Sequence, residues 1–95
     1  MAAYVLAQLR VHDPTTFQHY REKVAPLIER FGGRYIVRGG EVSPLEGQVA
    51  DPRLVIIEFA DRDAARRWYE SEAYQEILPL RLNAASGSVV IVDGV

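Results

Sequence analysis

Residues 53–60 read RLVIIEFA, and this stretch gives the strongest strand signal in the chain. It combines aliphatic, β-branched and aromatic residues over the usual length of a strand. Alternate side chains of a strand face opposite sides of the sheet, so Val55 and Ile57 share one side. Glu58 shares the other side with Ile56, where an unpaired carboxylate in an apolar layer would cost several kcal/mol. The fold therefore depends on what covers each side of this strand.

The pattern along the chain predicts four strands and two helical regions. Alternating or continuous apolar residues predict strands at 3–12, 34–38, 53–60 and 89–92. Helical spacing predicts helices over 14–31, 61–71 and 74–83, the last two being pieces of one broken helix. This β-α-β-β-α-β order predicts an α+β fold, a ferredoxin-like sandwich with both helical regions on one face of an antiparallel sheet, formed by residues 1–95 as one domain. Residues 41–47 (EVSPLEG) could extend the second strand or form a hairpin arm, and the sequence leaves both open. Asp51-Pro52 predicts a turn, and the role of residues 41–52 as a whole stays open.

The composition argues against several classes of function. The 95 residues carry a net charge of −2, whereas surfaces that follow nucleic-acid phosphates are basic. The chain has no cysteine, and its two histidines lack the spacing of metal ligands. No glycine motif for phosphates or dinucleotides occurs, and no apolar run is long enough to span a membrane. We therefore expect no metal, no cofactor, no nucleic acid and no membrane as partners, and a cytoplasmic location.

The side of the sheet away from the helices mixes apolar and polar residues. The residues assigned to it are Tyr4, Leu6, Gln8, Arg10, Ile36, Arg38, Leu54, Ile56, Glu58, Val90 and Val92. Its aliphatic patch is larger than monomeric soluble proteins usually expose. A second copy packed on this side would bury the aliphatics and enclose the polar groups around a cavity. We therefore predict a two-fold homodimer in which two sheets close into a barrel.

Glu58 is predicted to pair with Arg38, because strand alternation places the two side chains on the same side of the sheet, on neighbouring strands. The pair has two interpretations. One is a structural ion pair at the rim of the barrel. The other is a polar pole for a ligand, or a proton acceptor, in an otherwise apolar cavity.

The segment RRWYESEAYQEILPLR (66–81) holds further candidate residues. Trp68 and Tyr69 diverge by about 100° around a helix, so both cannot face the same core. Trp68 lies on a face with small alanines, which favours core packing. Tyr74 and Arg81 share a face of the second helical piece, where Arg81 could bind a carboxylate or satisfy carbonyls at the end of a broken helix.

Several segments together resemble one known family. They are YVLAQL (4–9), FQHYREKV (17–24), FGGRYIVRGG (31–40), VIIEF (55–59) and AARRWYESEAY (64–74). Over essentially its whole length the chain resembles the domain of unknown function 1330 family. The resemblance implies a ferredoxin-like fold of the dimeric α+β-barrel kind, in a superfamily that includes cofactor-free monooxygenases, isomerases and haem-degrading enzymes, but no activity that can be carried over. The positions matching the family motifs, taken as candidate ligand-binding residues, are Tyr20, Arg38, Glu58, Trp68, Tyr69, Tyr74 and Arg81.

Three functions remain open at this point. The leading prediction is a homodimeric barrel that binds a small anionic or aromatic organic molecule. The enzyme alternative is a cofactor-independent monooxygenase or isomerase, in which Glu58 or a tyrosine accepts a proton and Arg38 or Arg81 holds an anionic group. The third is a structural dimer whose cavity is filled by its own side chains. An RNA-recognition module shares the element order but needs exposed aromatic residues that the third strand lacks.

Overall fold

The computed structural model describes residues 1–95, and its elements follow the predicted order. The strands are β1 (Ala3–Val11), β2 (Arg34–Arg38), β3 (Arg53–Phe59) and β4 (Ala85–Asp93). The helices are α1 (Pro14–Arg30), α2 (Arg62–Glu70) and α3 (Glu72–Ala84). The strands form one antiparallel sheet in the order β2-β3-β1-β4. This is the predicted ferredoxin-like α+β fold, with the second helix divided in two.

Side-chain caps set the ends of the helices. Asp13 accepts a hydrogen bond from the backbone N–H of Thr16 at 3.2 Å and thereby begins α1. Ser71 separates α2 from α3, because its hydroxyl donates to the carbonyl of Trp68 at 2.7 Å and accepts from the N–H of Tyr74 at 3.1 Å. The backbone of Ser71 is extended, so α3 starts in a new direction. No helix has the length and hydrophobicity that crossing a membrane requires.

The helices pack on one side of the sheet, which we call the helix side, and form the core there. The largest fully buried side chains are those of Trp68, Tyr74, Phe59, Leu9 and Ile28. The ring centroid of Trp68 lies 5.7 Å from that of Phe59 on β3. Trp68 is only 2% exposed, so the prediction that it packs in the core is confirmed.

β4 begins at Ala85, earlier than the predicted start at residue 89. The sequence ASGS at its start lacks the apolar alternation that reveals a strand. Gly87 has a φ of +141°, and a Cβ at this position would clash with the carbonyl oxygen of Gln8 on β1. The backbones of the two strands can therefore pair here only because the residue is glycine.

β2 carries a bulge at Ile36. Tyr35 lies opposite Ile57, whereas Val37 lies opposite Ile56, so one residue of β2 has no partner. A bulge of this kind shifts the register by one residue and exchanges the sides of all side chains that follow.

The bulge moves Arg38 to the helix side. Arg38 lies opposite Val55, whose side chain is buried against the helices. In a regular strand Arg38 would share the other side of the sheet with Ile36. The assignment of Arg38 to that side is therefore wrong.

The side of the sheet away from the helices, which we call the open face, is uncovered in the single chain. Leu6 on β1 lies directly between Ile56 on β3 and Val90 on β4, so aliphatic side chains cross three strands. Val90 and Val92 are 49% and 44% exposed. The aliphatic surface predicted from the sequence is thus present.

Residues 40–52 form an irregular loop without any strand. Neither of the two structures considered for this segment, a longer β2 or a hairpin arm, is formed. Arg10 on β1 donates a hydrogen bond to the carbonyl of Ala50 and lies 3.9 Å from the carboxylate of Asp51. These contacts attach the end of the loop to β1.

Candidate ligand-binding site

A cavity of about 40 Å³ lies between the helix side of the sheet and the helices. Thirteen of its seventeen lining residues are hydrophobic, and the other four are all arginines: Arg21, Arg38, Arg53 and Arg81. No aspartate or glutamate lines it. Nor does any group of three histidine, aspartate or glutamate side chains gather elsewhere as a metal site would require. The cavity is therefore cationic and apolar at the same time.

Arg81 is the most buried of the four arginines, and we call its part of the cavity the deep pole. It follows Tyr74 by two turns of α3, so the two side chains share the face that packs inward. Arg81 is 7% exposed, its Nε has no hydrogen-bond partner, and no carboxylate pairs with it. Burial alone would lower the pKa of Arg81, but the hydroxyl groups of Tyr74 and Tyr20 beside it raise this pKa above its ordinary value, so the guanidinium stays charged. A buried guanidinium without a carboxylate partner is unusual in proteins.

A pair of tyrosines and a tryptophan surround the deep pole. The hydroxyl oxygens of Tyr20 and Tyr74 are 2.8 Å apart and share one hydrogen bond. Burial raises the pKa of Tyr20 far above its ordinary value, and the neighbouring Tyr74 raises this pKa further. The Tyr20 phenol therefore stays neutral. The ring centroid of Trp68 lies 4.4 Å from that of Tyr74. Nε1 of Trp68 has no hydrogen-bond partner.

The other three arginines lie near one another in a part of the cavity wall that we call the mouth. The guanidinium of Arg53 lies 5.2 Å from the ring centroid of Phe17, and that of Arg38 lies 4.7 Å from the ring of Tyr35. Burial lowers the pKa of Arg53, and the nearby charge of Arg21 lowers this pKa further. Arg38 is exposed, so this part of the cavity reaches the surface.

All buried side-chain polar atoms without a partner line this one cavity. They are Trp68 Nε1, Arg53 Nε and Arg81 Nε. Each is a hydrogen-bond donor with no capacity to accept. Leaving such a group unsatisfied costs about 1–3 kcal/mol, so the cavity is suited to a molecule that brings acceptors.

Glu58 lies on the open face and outside this cavity. Its carboxylate accepts from Arg34 Nε at 2.7 Å and from the Tyr4 hydroxyl at 3.3 Å. The predicted pair of Glu58 with Arg38 is wrong, because Arg34 lies directly opposite Glu58 and the bulge carries Arg38 to the helix side. The hydrogen bond from Arg34 holds the pKa of Glu58 below its ordinary value.

The structure brings together five of the seven candidate residues around the cavity: Tyr20, Arg38, Trp68, Tyr74 and Arg81. Tyr69 does not line the cavity; together with Trp68 it lines a groove of about 380 Å³ between α2 and β4. Its ring still contacts the cluster from outside, with its centroid 5.3 Å from that of Tyr74. Tyr69 and Glu58 therefore belong to other surfaces.

Three residues of the mouth were missed in the sequence: Arg21, Tyr35 and Arg53. Arg53 shares its strand parity with Val55, and Arg21 follows Phe17 by one helical turn, so the sequence carried a signal for both. The alternation of β2 does not show the side on which Tyr35 lies, because the bulge at Ile36 places Tyr35 and Val37 on opposite sides of the sheet. Because charged side chains are mostly exposed, both arginines were expected on the surface and not in a cavity wall.

The fold of the chain is shared with several solved structures. A protein of unknown function from Rhodopseudomonas palustris is 18% identical, with a TM-score of 0.73 over 99% of this chain and 82% of that chain. SnoaB, a cofactor-independent oxygenase from Streptomyces nogalater, is 18% identical, with a TM-score of 0.69 over 98% of this chain and 92% of that chain. A dimeric ferredoxin-like protein of unknown function from Jannaschia sp. is 13% identical, with a TM-score of 0.66 over 99% of this chain and 100% of that chain. At these identities the similarity shows the fold.

No curated protein sequence matches the chain at a significant level. The family described as Domain of unknown function (DUF1330) has a model that matches residues 2–95. The match covers the strands, helices and cavity described above, and it confirms the resemblance found in the sequence motifs. The chain belongs to the DUF1330 family.

Proposed function

We propose that the chain binds a small organic anion in the cavity between the helices and the sheet, with Arg81 as its anchor. The observation that carries this proposal is that three buried, unpartnered donors belong to residues lining one cavity, whose wall holds four arginines and no acid. A carboxylate or enolate oxygen accepts hydrogen bonds from such donors and supplies the missing counter-charge.

The rest of the lining suits the carbon skeleton of such a ligand. Hydrophobic side chains make up most of the cavity wall, and the rings of Trp68 and Tyr74 lie beside the deep pole. Ligand sites of this kind use a few polar groups for orientation and apolar surface for affinity. At about 40 Å³ the cavity has room for a ligand of only a few non-hydrogen atoms, or for one to three water molecules that would satisfy the same donors in a purely structural dimer. The comparison of propionate with propionamide described below separates these two cases.

A cofactor-independent oxygenase is the second candidate function. SnoaB is described as such an enzyme and shares the fold. No carboxylate lines the cavity, and the raised pKa of Tyr20 makes it a poor proton acceptor. An oxygenase in this cavity would therefore depend on a substrate that ionises easily, because nearby guanidinium groups lower the pKa of a bound enol or phenol.

We also propose that a second copy of the chain covers the open face. The aliphatic row through Leu6, Ile56 and Val90 supports this, as does the dimeric protein from Jannaschia sp. with the same fold. Burying such a row between two sheets removes apolar surface from water.

The binding proposal is tested with propionate and its neutral counterpart propionamide. Calorimetry and thermal unfolding are measured at constant ionic strength on the unmodified protein, on Arg81→Met and on Arg67→Met. Arg67 is an exposed arginine on α2 outside the cavity and serves as the matched control. Propionate at ten times its Kd should stabilise the unmodified protein by about 1.4 kcal/mol, and propionamide should not.

The variants decide whether Arg81 is the anchor. The effect of propionate should disappear in Arg81→Met and persist in Arg67→Met. Equal stabilisation by propionate and propionamide, or an undiminished propionate effect in Arg81→Met, would contradict the proposal.

A further inference from the structure

The cavity and the groove between α2 and β4 share part of their walls. The cavity measures about 40 Å³ and the groove about 380 Å³. Three residues line both of them: Val5, Trp68 and Val89. We call the side chains of these three residues the partition, because they stand between the small space and the large one.

The partition lies close to the proposed anchor. The ring centroid of Trp68 is 4.4 Å from that of Tyr74, whose hydroxyl group lies beside Arg81. Val5 and Trp68 are each only 2% exposed, so they also belong to the core. Val89 is half-buried on β4, an edge strand of the sheet, and can be changed with less effect on the core.

The two spaces differ in what they can hold. The cavity has room for only a few non-hydrogen atoms, whereas the groove has the volume of a site for an organic molecule. Six of the nine residues that line the groove are hydrophobic. Of its two arginines, Arg62 is paired with Asp93 at 3.1 Å and Arg66 is exposed. The groove therefore suits a hydrocarbon chain better than an acidic group.

We infer that the partition limits the length of the acid that the cavity accepts, so that Val5, Trp68 and Val89 select short monocarboxylates against long ones. This inference rests on the proposed function, since it assumes that Arg81 binds the carboxylate. A chain of two or three carbons ends before the partition. A longer chain has to pass through it to reach the groove.

The inference is tested with straight-chain acids from acetate to hexanoate, titrated by calorimetry at fixed ionic strength. Where room is available, each added methylene tightens binding about fourfold, because apolar surface is buried. In the unmodified protein hexanoate should instead bind about ten times more weakly than propionate, or weaker still, because the partition stops its chain. Hexanoate binding as tight as that of propionate would contradict the inference.

Three variants remove the same two carbon atoms at different places. Val89→Ala thins the partition, and hexanoate should then bind at least as tightly as propionate. Val55→Ala enlarges only the cavity, and Val90→Ala enlarges only the groove. Both should keep the preference for propionate, since the space gained at Val55 is smaller than the three carbons that hexanoate adds. The quantity compared is the ratio of the two Kd values within each protein.

A second variant thins the partition from the side of α2. Trp68→Phe should shift the ratio toward hexanoate in the same direction as Val89→Ala. Circular dichroism checks that each variant is folded, and Trp68→Phe decides the question if Val89→Ala is not. An unchanged preference for propionate in every folded partition variant would overturn the inference.

A double variant checks that the carboxylate stays in the cavity. Val89→Ala combined with Arg81→Met should lose hexanoate binding, because the chain enters the groove only when Arg81 holds its head. Hexanamide, which has the same length without the charge, should not bind to Val89→Ala. Hexanoate binding that persists in the double variant would show that the groove binds the acid alone, and the inference would be wrong.

The possible failures are distinguishable. If no acid binds to any of these proteins, the proposed function fails and the inference with it. If propionate binds through Arg81 but the preference for short acids is absent, or does not depend on the partition, only the inference fails.

Discussion

Arg81, the residue on which the proposed binding depends, has a side chain of an unusual kind for a buried position. The side chain is 7% exposed, lacks a carboxylate partner and has a donor without an acceptor. Buried charges in proteins are normally paired, because removing a charge from water costs several kcal/mol. An apolar side chain of similar size would pack in the same place without that cost. The presence of arginine here is therefore better explained by a ligand than by folding.

The substitution Arg81→Met should consequently stabilise the ligand-free protein or leave its stability unchanged. Methionine fills a similar volume and removes the unpaired charge, so the free energy of unfolding should rise by up to about 1–4 kcal/mol. Urea unfolding in a buffer without carboxylates measures the difference. Arg67→Met, on the exposed surface of α2, should stay within about 0.5 kcal/mol of the unmodified protein.

A loss of more than about 1 kcal/mol in Arg81→Met would show that Arg81 stabilises the fold. Stability would then give no reason to connect Arg81 with a ligand. The propionate titrations would still decide whether Arg81 binds an anion. The two measurements therefore test separate properties of the same residue.

Helical spacing predicted correctly which helix faces are buried, whereas ligand binding by the residues on them stays a prediction. Trp68, Tyr74 and Arg81 lie on helix faces that the sequence defines, and all three line the cavity. Arg53 was missed because charge at the start of a strand usually indicates a solvent-exposed end. Its parity with the buried Val55 was the better guide.

At the scale of elements, the bulge in β2 decides which arginine meets Glu58. Arg34 precedes the bulge and faces Glu58 on the open face, whereas Arg38 follows it and faces the helix side. Assigning alternate residues to alternate sides of the sheet assumes a regular strand. A single unpaired residue moves every later side chain to the opposite side. Because the bulge depends on how β2 fits against β3, the pattern of β2 alone does not reveal it.

The pair of Arg34 and Glu58 should make stability depend on pH. The folded-state pKa of Glu58 lies below its ordinary value of 4.5, mainly because of the hydrogen bond from Arg34. Its contribution is therefore present above that ordinary value and is lost as the pH falls through the lower folded-state value. In Glu58→Gln this contribution is absent, so the variant should be less stable than the unmodified protein at pH 7.

The difference between the two proteins should shrink as the pH falls below about 4.5 and should vanish in stronger acid. Urea unfolding at a series of pH values measures it. Glu46→Gln, on the exposed loop, is the control and should follow the unmodified protein throughout. A difference of constant size from neutral pH to strong acid would show that Glu58 acts through packing and not through its charge.

At the scale of the whole molecule, the two sides of the sheet differ in chemical character. The helix side carries the cavity and its arginines, and the open face carries the aliphatic row. The mixed composition of the open face allowed a dimer to be predicted from the sequence. The site was expected between two sheets, but five candidate residues surround a cavity on the other side, within one chain. Binding and assembly should therefore be separable.

Assembly and binding should respond differently to a single substitution in the open face. Light scattering at micromolar concentration should give the unmodified protein about twice the 10.7 kDa of one chain. Leu6→Glu places a charge at the centre of the aliphatic row and should yield the mass of one chain, because burying an unpaired carboxylate between two sheets is costly. Leu82→Glu adds the same charge at a site on α3 that is 59% exposed, and it should remain a dimer.

Leu6→Glu should still bind propionate, because the row lies on the side of the sheet opposite the cavity. Circular dichroism checks that the variant remains folded, since Leu6 is only half-buried in the single chain. A one-chain mass for the unmodified protein would contradict the dimer. A folded, monomeric Leu6→Glu that has lost propionate binding would instead show that the partner completes the site, and the cavity within one chain would not suffice.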